Sequence, residues 1–205
     1  MKWSEQFQLR ERVHRQYPEV WNLRIVRKRI PFILKYMTDG ESVLDIGAYN
    51  RELEDRIKKY HPNILYKSMD IDPTYLHDYS SFEEIEDKFD VVLLFEVIEH
   101  LDVAEGKEMV RNIYSLLNPG GRLIMTTPNV YTPGQYWKDA SHKTPYHYEE
   151  LGGILLAQGF HITAMYRTYN DPFFYYLFRV YLMFPLHRYL GIDFAKSILV
   201  LAEKR

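Results

Sequence analysis

The most pointed chemistry lies in two short segments. Glu96, Glu99 and His100 sit together in FEVIEHL, and His142 sits in SHKTPYHYEEL. Two carboxylates and two imidazoles can act in two ways. An imidazole that titrates near neutrality can take a proton from a hydroxyl that is becoming a nucleophile. That makes His100 and His142 candidate catalytic bases, with Glu99 beside them. The same four residues, Glu96, Glu99, His100 and His142, also form a hard-to-borderline ligand set for a divalent ion such as Mg²⁺ or Mn²⁺. A plainer reading stays open, in which His100 hydrogen-bonds its loop and Glu99 is solvated.

These residues must be held by strands that end near one another. VLDIG, ILYKSMD, FDVVLLF, RLIMTTPN and HITAMYRTY read as strands, and NRELEDRIKKY, EGKEMVRNIYSLL and YEELGGILLAQGF as helices between them. Asn118-Pro119-Gly120-Gly121 stops the second of those helices. SILVLAEKR closes the chain as a last strand. Strands alternating with helices imply a doubly wound α/β sheet, mostly parallel. Residues 5–36 read as helical, broken near Tyr17-Pro18 and bent near Pro31, with a basic face that is either solvated or a surface for an anionic partner. The interval between Asp70 and Asp90 is short, with room for at most a small strand near Tyr75–Asp78.

In such a sheet, ligands bind beyond the carboxyl ends of the strands. Asp45 and Gly47 follow the first strand, Asp70, Ile71 and Asp72 the second, Phe95 and Glu96 the third, and Asn129 the fourth. Acidic groups dominate. A carboxylate ending the second strand is a fitting acceptor for a ribose diol. There is no GxxxxGK run to cradle phosphates. The edge therefore suits an adenosine ligand without phosphates.

The order VLDIG, MDID, FDVVLLFEVIEHL, LLNPGGRLIMTTPN and a late helix ending in QGF resembles the class I S-adenosylmethionine-dependent methyltransferases. The resemblance implies a Rossmann-like, seven-stranded, mostly parallel sheet whose last strand is antiparallel and inserts beside HITAMYRTY. It implies S-adenosylmethionine as cofactor. Asp45 and Gly47 would serve the methionine end, Asp70 and Ile71 the ribose, Asp78 the adenine, and Phe95 and Glu96 the sulfonium side. The family turn usually reads D-x-G-x-G-x-G, whereas this chain has Tyr49, Asn50 and Arg51 after Gly47. A side chain disfavours positive φ. Asn50 tolerates it, so the turn could be re-cut there, with Arg51 free to pair with the cofactor carboxylate. The E-x-x-E-H segment is similar to those of ubiquinone-pathway O-methyltransferases and small-RNA 3′-end 2′-O-methyltransferases.

Composition narrows the field. The 205 residues suit one domain over 1–205, with N-terminal helices over 1–40 and an aromatic insertion over 171–194. The formal charge of −2 does not suggest a general nucleic-acid binder, although residues 1–40 hold nine Lys/Arg against four Asp/Glu. There is no cysteine, which fits a reducing, cytoplasmic setting and excludes thiolate chemistry. Nine of the 24 residues at 171–194 are aromatic. That insertion reads as core or dimer contact, as a lid over an apolar acceptor, or as a helix resting on a membrane surface. The expected activity is methyl transfer to a hydroxyl of a small, glycan or lipid-linked acceptor, by a monomer or homodimer. RNA 3′-end methylation and a non-catalytic binding subunit are the alternatives.

Overall fold

The computed structural model describes residues 3–205. In chain order the elements are α1 (Trp3–Gln16), β1 (Arg24–Val26), α2 (Arg29–Ile33), β2 (Ser42–Ile46), α3 (Glu52–Lys58), β3 (Leu65–Met69), β4 (Phe89–Phe95), α4 (Val103–Leu116), β5 (Leu117–Pro128), α5 (Tyr148–Ala157), β6 (Phe160–Thr168), α6 (Phe173–Leu177), α7 (Phe184–Leu190) and β7 (Ser197–Lys204). The seven strands form one sheet in the order β1-β6-β7-β5-β4-β2-β3. β7 runs antiparallel to both β5 and β6, and every other pairing is parallel. This is the α/β, Rossmann-like architecture expected from the sequence.

The central strands read as unbroken apolar runs because both faces of the sheet are covered. Along β4, Val92 and Leu94 enter one core with Val110 and Ile113 of α4 and Leu151 and Ile154 of α5. Val91 and Leu93 enter the other, with Ile33 of α2 and Ile57 of α3. α4 starts at a capping box: the Asp102 carboxylate accepts from Ala104 N–H and Glu105 N–H, and Asp102 N–H donates to Glu105. That cap fixes where the EVIEHL segment turns off the end of β4.

Two expectations fail in an informative way. The stretch read as a bent basic helix contains β1, which pairs with β6 through Ile25 and Arg167. In β1 exposure falls from open Arg24 to buried Val26, and three residues give too few turns for a helical period to decide. The small strand expected near Tyr75–Asp78 shrinks to a single bridge between Met69 and Tyr79. The seventh strand is thus supplied by the N-terminal segment, at the opposite edge of the sheet.

The aromatic insertion forms α6, a π-helical turn over Phe178–Leu182, and α7. Its return is pinned by buried Asp193. That carboxylate accepts from Arg167 (3.0 Å), Tyr169 Oη (2.7 Å) and Asn129 Nδ2 (3.0 Å). No described helix is long and apolar enough to cross a membrane.

Candidate active site

The turn after β2 answers how a chain can lose two glycines and keep a glycine loop. Gly47, Tyr49 and Arg51 all take positive φ, at 74°, 44° and 61°. The left-handed sites are retained and two of them carry side chains, so the turn is not re-cut around Asn50. Each such side chain costs roughly 1–2 kcal/mol of backbone strain. Local bonds offset it. Tyr49 N–H donates to Asp70 Oδ2 at 2.8 Å, and the Tyr49 ring packs edge-on against Tyr75. Asn50 Oδ1 accepts from Glu52 N–H at 3.2 Å as α3 begins. Gly47 itself cannot be replaced so easily, because a Cβ there would collide with Val97 Cγ2.

Arg51 is not free to meet a cofactor carboxylate. Its guanidinium pairs with Glu54 (2.8 Å) and Asp78 (3.2 Å) and donates to the Leu76 carbonyl. Asp78 is occupied too, accepting from Ser68 N–H (3.0 Å) and Lys67 Nζ (3.1 Å). Both residues brace the turn against β3, which leaves no open carboxylate at Asp78 for an adenine amine. Asp70 accepts one backbone N–H at each oxygen, from Tyr49 and Asp72, and each oxygen keeps a second lone pair. Ile71 beside it is 85% exposed, an apolar face with nothing of this chain on it.

A cleft of about 320 Å³ opens between this turn and α2. Asp45, Gly47, Asn50, Phe95 and Arg29 line it, and neither Tyr49 nor Arg51 does. Asp45 is buried; desolvation lifts its pKa to about 7 even though Tyr66 Oη donates to it at 2.5 Å. The Arg29 guanidinium lies 4.6 Å above the Phe95 ring, within electrostatic reach of Asp45 and Glu96. Glu96, at φ 56°, follows β4, and among the described residues its buried Oε1 has no partner. Asp45 and Glu52 in the cleft, with Glu96 beside Arg29, set carboxylates against the Arg29 and Arg56 guanidiniums, groups that match the ammonium and carboxylate of an amino-acid zwitterion. That donor set fits the methionine end of S-adenosylmethionine.

On the other side of Glu96, the structure brings Glu99, His100 and His142 together. Their potential ligand atoms lie within 4.8 Å of one another. Glu96 is not part of this group, so the four-residue ligand set reduces to three. His142 Nδ1 lies 2.7 Å from the Tyr136 carbonyl, which can only accept, so Nδ1 carries the proton and Nε2 is bare. Ser141 donates its hydroxyl proton to Asp139 at 2.6 Å and so accepts from His100 Nδ1 at 2.9 Å. His100 Nε2 is bare for the same reason. Glu99 is fully buried, with one oxygen 3.4 Å from Thr127 Oγ1 and the other unpartnered. Burial first, and the Glu96 charge second, push its pKa up to about 8.

Other polar groups near these strand ends have structural duties. Asn129 is buried and spends its amide on Asp193 and the Ala195 carbonyl. Tyr131 and His147 bond each other at 2.7 Å, and His147 caps α5. Sequence reasoning missed Arg27, Lys28, Arg29, Arg56 and Lys196, which border a second recess of about 520 Å³ next to Glu96. Arg27-Lys28-Arg29 was visible as a basic run, but only the β1–α2 connection shows that it faces the sheet edge.

Residues 13–165 match a methyltransferase domain family. Among solved structures, the chain resembles a SAM dependent methyltransferase from Archaeoglobus fulgidus, with TM-score 0.69, 19% identity, and 86% of this chain and 91% of that one covered. It also resembles the N-methyltransferase NodS from Bradyrhizobium japonicum in complex with S-adenosyl-L-homocysteine, with TM-score 0.58, 12% identity, and coverage of 86% and 84%. The cyclase SpnF shares the fold as well, with TM-score 0.59, 15% identity, and coverage of 86% and 80%. No curated protein matches the sequence. The family match spans most of the chain and the sheet order agrees with it, so the chain belongs to the methyltransferase-domain family, whose cofactor is S-adenosylmethionine.

Proposed function

We propose that this protein transfers a methyl group from S-adenosylmethionine to a hydroxyl of a small or lipid-linked acceptor. The observation that carries the reading is the pair of bare imidazole Nε2 atoms on His100 and His142, each fixed by a partner at Nδ1. When bound, the cofactor supplies an electrophilic methyl group on a sulfonium. Asp45, Glu96 and Arg29 would hold its amino-acid end, and Asp70 would accept from the ribose hydroxyls. His142 Nε2 would take the acceptor's hydroxyl proton as the acceptor oxygen gains the methyl group and the S–CH₃ bond breaks, S-adenosylhomocysteine being the leaving group, and His100 Nε2 offers a second acceptor beside it. Glu99, held neutral by burial, donates its carboxyl proton in a hydrogen bond to the acceptor oxygen or its neighbour. Positioning contributes most of the acceleration, because displacement at a methyl needs only in-line approach.

The unpartnered Glu99 oxygen supports a second reading at the same site. Glu99, His100 and His142 are suited to hold a divalent cation, which would polarise the acceptor oxygen. Metal analysis of purified protein, with and without His100→Ala, separates the two: a stoichiometric ion lost in the variant favours the cation.

The test of the main reading has two stages. Calorimetry must show S-adenosylhomocysteine binding, and silence at millimolar ligand leaves only a non-catalytic subunit. Isotopically labelled methyl groups are then followed into a cell extract. Label in the organic-soluble fraction, lost with His142→Ala, is expected. Label in RNA 3′ ends would replace this reading with the RNA one.

A further inference from the structure

The recess beside Glu96 is lined by five cations, Arg27, Lys28, Arg29, Arg56 and Lys196, against one carboxylate. They come from three separate segments, so their convergence is a property of the fold and not of one basic run. Arg29 and Arg56 also line the cofactor cleft, which makes the two recesses neighbours across a shared wall. Among the described residues, Arg27, Lys28 and Lys196 have no carboxylate within ion-pair distance, while Arg56 has only exposed Glu52 at 3.3 Å. Unpaired like charges held together repel one another, and an anion relieves that cost.

The aromatic insertion meets the recess through Arg27. Arg27 lies over the rings of Phe173 (5.2 Å) and Tyr176 (4.5 Å). From there Phe174, Phe178, Tyr181 and Leu182 run along α6 and the π-turn with 80%, 49%, 68% and 68% of their surface exposed. A cationic pocket joined through Arg27 to an uncovered aromatic ridge fits a molecule with a charged head and an apolar tail.

We propose that the recess is the acceptor's anion subsite: it takes a phosphate-class group on an amphiphilic acceptor, whose apolar portion lies along α6. This names the acceptor class for the methyl-transfer reading and rests on that reading for the word acceptor; the anion site itself does not depend on it. Lys28 and Lys196 reach the anion from the rim, and Arg27 is held toward it by its two rings.

The full chain is titrated by calorimetry with inorganic pyrophosphate and with monomeric dodecyl phosphate, using dodecyl maltoside as the uncharged control, with and without S-adenosylhomocysteine. Both anions should bind, dodecyl phosphate more tightly, and the maltoside should not. Lys28→Glu combined with Lys196→Glu should weaken both anions at least about ten-fold while S-adenosylhomocysteine binds as before. Phe174→Ala with Phe178→Ala, both at exposed positions, should weaken dodecyl phosphate and leave pyrophosphate unchanged. Unaltered anion affinity in the double charge reversal overturns the subsite. Equal affinity for the two anions overturns the amphiphile, as does an oligoribonucleotide that outcompetes dodecyl phosphate. Capture by phosphatidic-acid vesicles supports a membrane lipid as source, and binding of the monomer alone supports a soluble one. Loss of S-adenosylhomocysteine binding in the wild type would sink the methyltransferase reading and leave the anion result standing.

Discussion

The two ends of the cleft are built on opposite principles. At the cofactor end, three residues of one turn are fixed by short bonds to the segment after β3 and to the start of α3: Tyr49 to Asp70, Arg51 to Asp78 and Glu54, Asn50 to Glu52. Almost every polar group there has a partner in the chain. At the acceptor end, Arg27, Lys28 and Lys196 wait beside an exposed aromatic ridge, with no carboxylate of their own. A cofactor shared by many reactions rewards a turn that is complete before anything binds. An acceptor specific to one reaction is met by groups left unsatisfied, because the acceptor is what satisfies them. Glu96 stands on the border, acting on Arg29 on one side and on Glu99 on the other.

The sharpest way to break this contrast is at Asp70. It holds two backbone N–H groups of the cofactor end, from Tyr49 and Asp72. Asp70→Ala removes the diol acceptor and both of those bonds. S-adenosylhomocysteine affinity should fall on the order of 100-fold or more, close to 3 kcal/mol, in a calorimetric titration. Pyrophosphate binding at the other end should not move. A joint loss would mean that the two ends are one unit.

Asp45 gives the next effect. Burial raises its pKa from 3.8 to about 7. The folded value lies above the unfolded one, so between those pH values the folded chain holds a proton that the unfolded chain has released. Stability therefore falls as pH rises through that window. From about pH 5 to about pH 7 the loss attributable to Asp45 should be of the order of 2 kcal/mol in urea unfolding, and Asp45→Asn should remove that slope. A bound ammonium favours the carboxylate, so cofactor binding near pH 6 should release a proton, read from the dependence of the binding enthalpy on buffer. No release would place the ammonium elsewhere. Gly47→Ala comes next. It meets both a positive φ and the Val97 side chain, so a destabilisation of about 2 kcal/mol is expected from thermal unfolding.

How much of this was legible in the sequence follows the same division. Asp45, Gly47, Asp70 and the EVIEHL segment lie at strand ends set by local apolar runs, and a strand end can be read from a run. Even there, the direction of a side chain could not be read. Arg51 turned away from the cleft to Glu54 and Asp78, and the second of these, 27 residues on, is invisible to local pattern; Glu96 stays outside the cluster of Glu99, His100 and His142, which only the fold assembles. β1 was misread because three residues fit a helix and a strand equally well until β6 lies beside them. The basic recess was illegible for a stronger reason. Lys196 and Arg27 are far apart in the chain and adjacent only because β7 inserts between β5 and β6, bringing its leading end to the same edge as the β1–α2 connection.

The smallest effect tests the claim that the cofactor turn is complete despite its missing glycines. Tyr49 at φ 44° and Arg51 at φ 61° both pay left-handed strain, but they differ in what their side chains return. Tyr49 returns a single edge-on ring contact with Tyr75, on a residue that is 62% exposed. Arg51 returns two ion pairs and a carbonyl bond. Tyr49→Gly should therefore stabilise the chain by up to about 1 kcal/mol, since relief of strain outweighs one exposed ring contact. Arg51→Gly should come out near zero or destabilising, since the same relief is offset by the lost bracing of Asp78. If the two substitutions shift the urea midpoint equally, the side chains are passengers and backbone geometry alone sets the turn. If Arg51→Gly also weakens S-adenosylhomocysteine, the bracing of Asp78 reaches the ligand, and the cofactor end is less self-sufficient than its bonds suggest.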